Sequence, residues 1–314
     1  MPYNRIANHL AGIIPINSQP MDFKFPWPDC MQPIAANFLA IERSILECAT
    51  AGCDTIWIVC PYEIQPLLRH RLGSMVQDPV SYSNAKYVKF KEMVKKQIPI
   101  YYIPAKVKDK DKKDSIVWNM LSGCLTVTDI SAGMSRWLIP RKYYICFPNA
   151  VFPSQYVRKY RTAINKKRKF LISHKGKTIL DGEYLSASLN HEDVLFLIKE
   201  FRNQATGMWD PASPNRGDTT FPSERLSIEN RYSGRFLTVK DIFSKLPIEN
   251  ETITMNAFWY YDISSWDGLK KYLSSEESNY MKRPIKRLLL NSEYRGIANE
   301  LDTEDDMEYI EHND

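Results

Sequence analysis

Apolar residues along this chain fall into short blocks separated by polar, proline-marked or glycine-marked breaks. Residues 13–16 (IIPI) form an apolar run that stops at Asn17-Ser18-Gln19-Pro20, the pattern of a strand entering a loop. That loop continues through Pro26, Pro28 and Pro33. Phe38, Ile41, Ile45 and Cys48 then recur at helical spacing and stop at Gly52, which predicts a helix with a glycine cap. Residues 55–60 (TIWIVC) are β-branched and apolar, as in a strand buried on both faces. Ile64, Leu67, Leu68 and Leu72 predict a second helix, closed by Gly73.

The middle of the chain has the same style. Residues 98–103 (IPIYYI) read as a strand that Pro99 either confines to a sheet edge or makes start late. A lysine-rich stretch at 106–114 leads into a helix expected over 115–124. Residues 143–147 (YYICF) predict the next buried strand, ending at Pro148-Asn149-Ala150. Short strands are expected at 170–172 and 178–180, then a helix after the cap-like Asn190-His191-Glu192-Asp193. A strand at 252–261 and helices near 266–273 and 281–290 close the pattern. Strands alternating with helices predict an α/β fold: a mixed, mainly parallel sheet covered by helices on both faces. Residues 205–235 hold three prolines and three glycines with no sustained period, so a long loop, a candidate lid, is expected there. The predicted organisation is a single α/β domain over 1–295, followed by an acidic tail at 296–314 with the composition of a disordered segment.

Composition narrows the classes. With 314 residues, 44% hydrophobic and 25% charged, the chain is neither fibrous nor disordered as a whole. Glu300, Asp302, Glu304, Asp305, Asp306, Glu308, Glu311 and Asp314 face no Lys or Arg over the last fifteen residues. Removing them from a net charge of +5 leaves about +13 on the rest, a basic body suited to phosphate-rich ligands. The six cysteines and five histidines are scattered, with no Cys-x-x-Cys or His-x-x-x-His spacing, so buried reduced thiols are expected in place of disulfides or zinc. No apolar run approaches the roughly 20 residues of a membrane span. Arg5, His9 and Asn17 interrupt the start, which excludes a secretory signal pattern. A soluble, cytoplasmic protein without a membrane partner is the expectation.

Five segments, in order, resemble the nucleotide-diphospho-sugar transferase (GT-A-like) superfamily, and within it the sugar-phosphate nucleotidyltransferases. They are Leu10-Ala11-Gly12 with the loop ending Pro28-Asp29-Cys30-Met31-Gln32-Pro33-Ile34, and 40–62 (AIERSILECATAGCDTIWIVCPY). Farther on come Asp114-Ser115-Ile116-Val117, then 143–152 (YYICFPNAVF) and 258–269 (FWYYDISSWDGL). The resemblance implies transfer between a nucleoside triphosphate and a sugar phosphate, or related nucleotide-sugar chemistry, with Mg²⁺ as cofactor. It places nucleotide contacts at Asn17, Ser18, Gln19 and Ser115, and the sugar or metal near Asn149 and Asp262. Lys24 and Asp22 are the candidates for catalytic charge and metal ligation. Three supports of such a site are replaced: the glycine-rich phosphate loop by Asn17-Ser18-Gln19-Pro20, the phosphate-binding lysine by Asp29, and the metal-binding aspartate by Asn149 or Ala150. A catalytically inactive binding or scaffolding protein on the same fold therefore stands beside the enzyme reading.

Charged stretches outside these motifs add alternatives. Lysines over 106–113, and Arg216, Arg225, Arg231 and Arg235 in the long loop, are candidate phosphate clamps as well as ordinary solvated charge. Lys166-Lys167-Arg168-Lys169, with Tyr156, Tyr160 and Phe170 nearby in sequence, are candidate contacts to a nucleic acid backbone.

Overall fold

The computed structural model describes residues 9–17, 22, 24–81, 96–105, 115–135, 138–166, 168–205, 237–248, 252–283 and 289–290. Thirteen strands are present among them: β1 (Leu10–Pro15), β2 (Pro33–Ala35), β3 (Phe38–Leu39), β4 (Thr55–Cys60), β5 (Met75–Gln77), β6 (Gln97–Pro104), β7 (Lys142–Ile145), β8 (Ala150–Val151), β9 (Phe170–Ser173), β10 (Ala187–Asn190), β11 (Ile253–Asn256), β12 (Tyr261–Asp262) and β13 (Leu289–Leu290). The helices are α1 (Ala40–Ala51), α2 (Gln65–Leu72), α3 (Ile116–Met134), α4 (Arg161–Ile164), α5 (His191–Ala205), α6 (Val239–Phe243) and α7 (Trp266–Leu273).

Nine strands form one sheet in the order β11-β9-β10-β7-β1-β4-β6-β5-β13. The pairs β7–β1, β1–β4, β4–β6 and β9–β11 are parallel, while β10 runs antiparallel to both neighbours. The strand periodicity of two sorts side chains to two cores. Leu10 and Ile14 of β1, Ile56 and Ile58 of β4 and Tyr144 of β7 face α1, α2, α4 and α7. Ala11, Ile13, Trp57, Val59, Tyr143 and Ile145 face α3, α5 and α6. The mixed α/β sheet covered on both faces is thus the one the sequence pattern predicts.

Local chemistry sets the helix ends. The Leu39 amide donates to Glu42 Oε2 at 2.8 Å at the start of α1, and Gly52 ends it at φ 94°, where a side chain would be strained. Ser115 Oγ accepts from the Trp118 amide at 3.2 Å and caps α3.

Several boundaries differ from expectation. α3 runs ten residues past 124, and inside it Thr126 and Thr128 turn their hydroxyls onto the carbonyls of Ser122 and Cys124, which keeps these polar groups satisfied within the helix. Residues 178–180 are no strand: Thr178 and Asp181 form a capping box around a 3₁₀ turn, Ile179–Asp181. β10, two of whose four residues are polar, carries no apolar-run signal. The expected strand over 252–261 is two, β11 in the main sheet and β12 paired with β8. Leu289 and Leu290 pair with β5 where a helix is expected over 281–290. β6 lies inside the sheet, not at its edge. The Ile100 amide donates to Ser74, so Pro99 points its missing donor away from β5, and the parallel ladder with β4 begins only at Ile100. Neither expected consequence of Pro99 is realised for the strand itself, which starts at Gln97; only its pairing with β4 is delayed, to Ile100.

Candidate functional site

Because β1, β4, β6 and β7 are parallel, their carboxyl ends gather at one edge of the sheet, where ligands sit in open α/β folds. At the centre of that edge the Cys146 amide donates to the Ile13 carbonyl at 3.0 Å, and the Ile16 amide donates to Val59 at 2.8 Å. These bonds bring the ends of β1, β4 and β7 side by side. Asn17 leaves β1 here with a buried Oδ1 that has no hydrogen-bond partner. Next to it, Asn119 on α3 donates Nδ2 to the Ile16 carbonyl at 2.9 Å and fixes the strand's exit. Asn119 is a site-edge residue that sequence reasoning misses, since an asparagine inside a predicted helix gives no signal. Ser115 is buried and its hydroxyl is spent on the α3 cap.

The other half of the edge follows β7. Asn149 is buried, and its carbonyl accepts from the Ile263 amide at 2.8 Å. The next residue, Ala150, pairs antiparallel with Asp262, so the two sequence-separated candidates Asn149 and Asp262 do come together. Burial raises the Asp262 carboxyl; the Ser264 hydrogen bonds oppose this and the Glu183 charge adds to it. Asp262 is held in place from behind by Gly268, where a Cβ would lie 2.0 Å from the Asp262 carbonyl oxygen. Tyr184 and Tyr260 border the same region: the Tyr184 amide donates to the Tyr260 hydroxyl at 3.2 Å, and the Tyr184 ring packs edge-on against Phe147 at 5.5 Å. Burial raises the Tyr184 hydroxyl, and the charges of Asp262 and Asp29 add to that. Asp29 is only 7% exposed. The edge therefore carries neutral amides over β1 and carboxylates with tyrosines beyond β7.

Asp22 and Lys24 are used differently. Both Asp22 oxygens accept backbone donors, from Trp266 at 2.8 Å and Lys24 at 3.0 Å, and these hold its carboxyl below the usual range. Asp22 thus takes up the first amide of α7, whose N-cap is Ser265, and the Lys24 side chain is exposed. Among the described residues no group of three or more His, Cys, Asp or Glu is placed to hold a metal ion. Asn149 and Ala150 offer no carboxylate, and one Asp262 oxygen already accepts the Ser264 amide at 2.9 Å. Asp262 thus offers one carboxylate of the one or two that hold Mg²⁺ beside phosphates.

The basic segment is not the four-cation run expected for nucleic acid. Lys169 is 2% exposed, donates to the Pro247 carbonyl at 2.7 Å and pairs with Asp193 at 3.1 Å. Lys142, from β7, grips the carbonyls of Ile164, Lys166 and Arg168 from beneath. Lys166 and Arg168 are exposed. Ser18, Gln19, Lys167, the lysines over 106–113, the tail at 296–314 and the four arginines of 206–235 lie outside the described residues. No described helix is long and apolar enough to cross a membrane.

No family model matches this sequence, and no curated protein matches it. Solved structures do match the fold. A putative glucose-1-phosphate thymidylyltransferase from Bacillus anthracis, in complex with a sucrose, aligns with TM-score 0.51 and 9% identity over 87% of this chain and 97% of its own. A UDP-glucose pyrophosphorylase complexed with UDP-glucose aligns with TM-score 0.49 and 11% identity over the same shares. The chain therefore has a sugar-phosphate nucleotidyltransferase-like fold, as the order of its motifs implies.

Proposed function

We propose that the chain binds a nucleotide or nucleotide sugar along the carboxyl edge of β1, β4 and β7, in a divergent nucleotidyltransferase site. The observation that carries this reading is the placement of Asn17, with its unpartnered buried Oδ1, at the exit of β1 and of the Asn149–Asp262 pair at the exit of the neighbouring strand β7. An unpartnered buried acceptor costs free energy unless something donates to it, and the N–H edge of a base does so. Asn149 and Asp262 offer hydrogen bonds to sugar hydroxyls. Transfer itself would be displacement at the α-phosphorus, promoted by positioning and charge neutralisation. Mg²⁺ would arrive with the phosphates of the substrate, since among the described residues Asp262 is the carboxylate at that point. A cytoplasmic, single-domain protein fits this reading.

A second reading, binding without transfer, has its own support. Asp29 is buried and carboxylate where the resemblance places a phosphate-binding lysine, and Asn149-Ala150 replaces the metal-binding aspartate. Like charge beside a triphosphate is repulsive.

Calorimetric titration with UTP, dTTP, UDP-glucose and UDP, each with and without Mg²⁺, tests the binding claim, and a pyrophosphate-release assay with glucose 1-phosphate separates the two readings. Saturable binding of at least one nucleotide is expected. Binding with pyrophosphate release supports transfer, binding without it supports the second reading, and no binding by any of the four rejects both.

A further inference from the structure

Helix α1 presents two charged side chains one turn apart to β7, Arg43 and Glu47, with side-chain exposures of 1% and 0%. Arg43 Nη1 donates to Glu47 Oε2 at 2.6 Å. Glu47 accepts in addition from the Tyr144 hydroxyl at 2.7 Å and the Cys146 thiol at 3.1 Å, so it is anchored both to β7 and to the residue that follows it. Arg43 Nη2 donates to Ser44 Oγ at 3.1 Å and to the Phe147 carbonyl at 2.9 Å, and its guanidinium lies 5.0 Å from the centre of the Phe152 ring. The same Phe147 carbonyl accepts the Ala150 amide at 3.3 Å. The guanidinium therefore sits on the bond that closes the 147–150 turn, the turn that carries Asn149 and leads into the pairing of Ala150 with Asp262.

Stability alone does not account for this arrangement. A buried ion pair is commonly no better than apolar residues of similar volume. Arg43 Nε, moreover, is buried without a partner. What apolar packing cannot do is direct two donors at fixed points, and the rigid guanidinium fork does that. We propose that Arg43, oriented by Glu47, is a positioning residue that holds the 147–150 turn, and through it Asn149 and Asp262, in place at the sheet's carboxyl edge. The link to ligand binding rests on the function proposed above; the hold on the turn does not.

Two variants of the full chain test it. Arg43→Met with Glu47→Leu and Tyr144→Phe replaces the network by apolar groups, and Arg43→Lys keeps the charge but loses the fork. Amide hydrogen exchange is followed at Ala150 and Ile263, and at central amides of β1 and β4 as internal references. The proposal predicts at least tenfold faster exchange at Ala150 and Ile263 in both variants, with less than twofold change in β1 and β4. Unchanged rates at Ala150 and Ile263, or an equal rise at every amide, overturn it. If the triple variant does not fold, Arg43→Lys provides the same comparison. The calorimetric titration with UDP-glucose is repeated on the same samples. At least tenfold weaker binding with a loosened turn supports the functional half, and unchanged binding overturns that half. Should the unaltered chain bind no nucleotide, the proposed function falls while the exchange comparison still decides the hold on the turn.

Discussion

The Cys146 amide donates to the Ile13 carbonyl at 3.0 Å, so the exits of β1 and β7 are neighbours in one sheet. Had 13–16 and 143–147 gone to different sheets, Asn17 and Asn149 would share no edge and the proposed site would not exist. The parallel register from Leu10 opposite Lys142 to Ile13 opposite Ile145 makes the juxtaposition a property of topology, held by ladder hydrogen bonds and not by loop conformation.

Gly268 and the Asp262 carbonyl give the first prediction. A methyl group at 268 would lie 2.0 Å from that oxygen, a backbone atom that cannot swing aside. Gly268→Ala should destabilise the fold by about 2 kcal/mol, the usual scale of overpacking, and shift the Asp262 and Ile263 resonances. Gly133→Ala, where an added Cβ meets nothing within 4 Å, is the control and should be neutral or stabilising. Urea midpoints of the two variants check this.

Asp78 couples stability to acid. Burial raises its carboxyl, but the two-pronged hydrogen bonds and charge of Arg161, with the Val80 and Ser81 amides, outweigh this and hold it below the ordinary value. A carboxyl lowered in the folded state stabilises fully above its unfolded value, near pH 4, and loses that contribution as pH falls through the folded one. The urea midpoint should therefore fall between pH 7 and pH 3, and by less in Asp78→Asn. Arg161→Met leaves a buried carboxylate unpaired and should cost about 3 kcal/mol at pH 7.

Lys142 acts in the same sense over a higher pH interval. Burial lowers its ammonium to about 8, with the Asp193 charge pulling upward. Between that value and the ordinary lysine range the unfolded chain holds more protons than the folded one, so this group's contribution to stability rises with pH over that interval. A lysine Cε resonance titrating near pH 8, absent from Lys142→Met, is the expected NMR signature.

Much of the fold is legible in the sequence, for identifiable reasons. Residues 55–60 read as a strand because β-branched and aromatic side chains fill both faces, and they are β4. Gly52 and Gly73 mark the ends of α1 and α2 because each takes a positive φ. β10 is not legible, since Ser188 spends its hydroxyl on the Ile164 carbonyl and so lies in the core as a polar residue. In the candidate site, Asn17, Asn149 and Asp262 are legible through motif order. Arg43 and Glu47 are readable only as an i, i+4 charge pair on a helix, a signal shared with ordinary surface pairs. Lys169 misled because a run of cations in sequence says nothing about which of them turns inward.

Within that run the two ends should behave differently. Lys169→Met removes a buried donor from the Pro247 carbonyl and leaves Asp193 without that cation, so a loss of about 2 kcal/mol is expected. Lys166→Met, at an exposed side chain, should change stability by less than about 0.5 kcal/mol. Thermal unfolding of both variants at equal ionic strength is the comparison.

The most direct test of the site is an amide chemical-shift map recorded while UDP-glucose is titrated into the full chain. Saturable shifts at Asn17, Asn119, Asn149, Ala150 and Asp262, with little change along β5 and β11, are the predicted result. Saturable shifts that leave all five of those residues unmoved, or no shifts at millimolar ligand, would contradict the placement of a nucleotide at the carboxyl edge of β1 and β7.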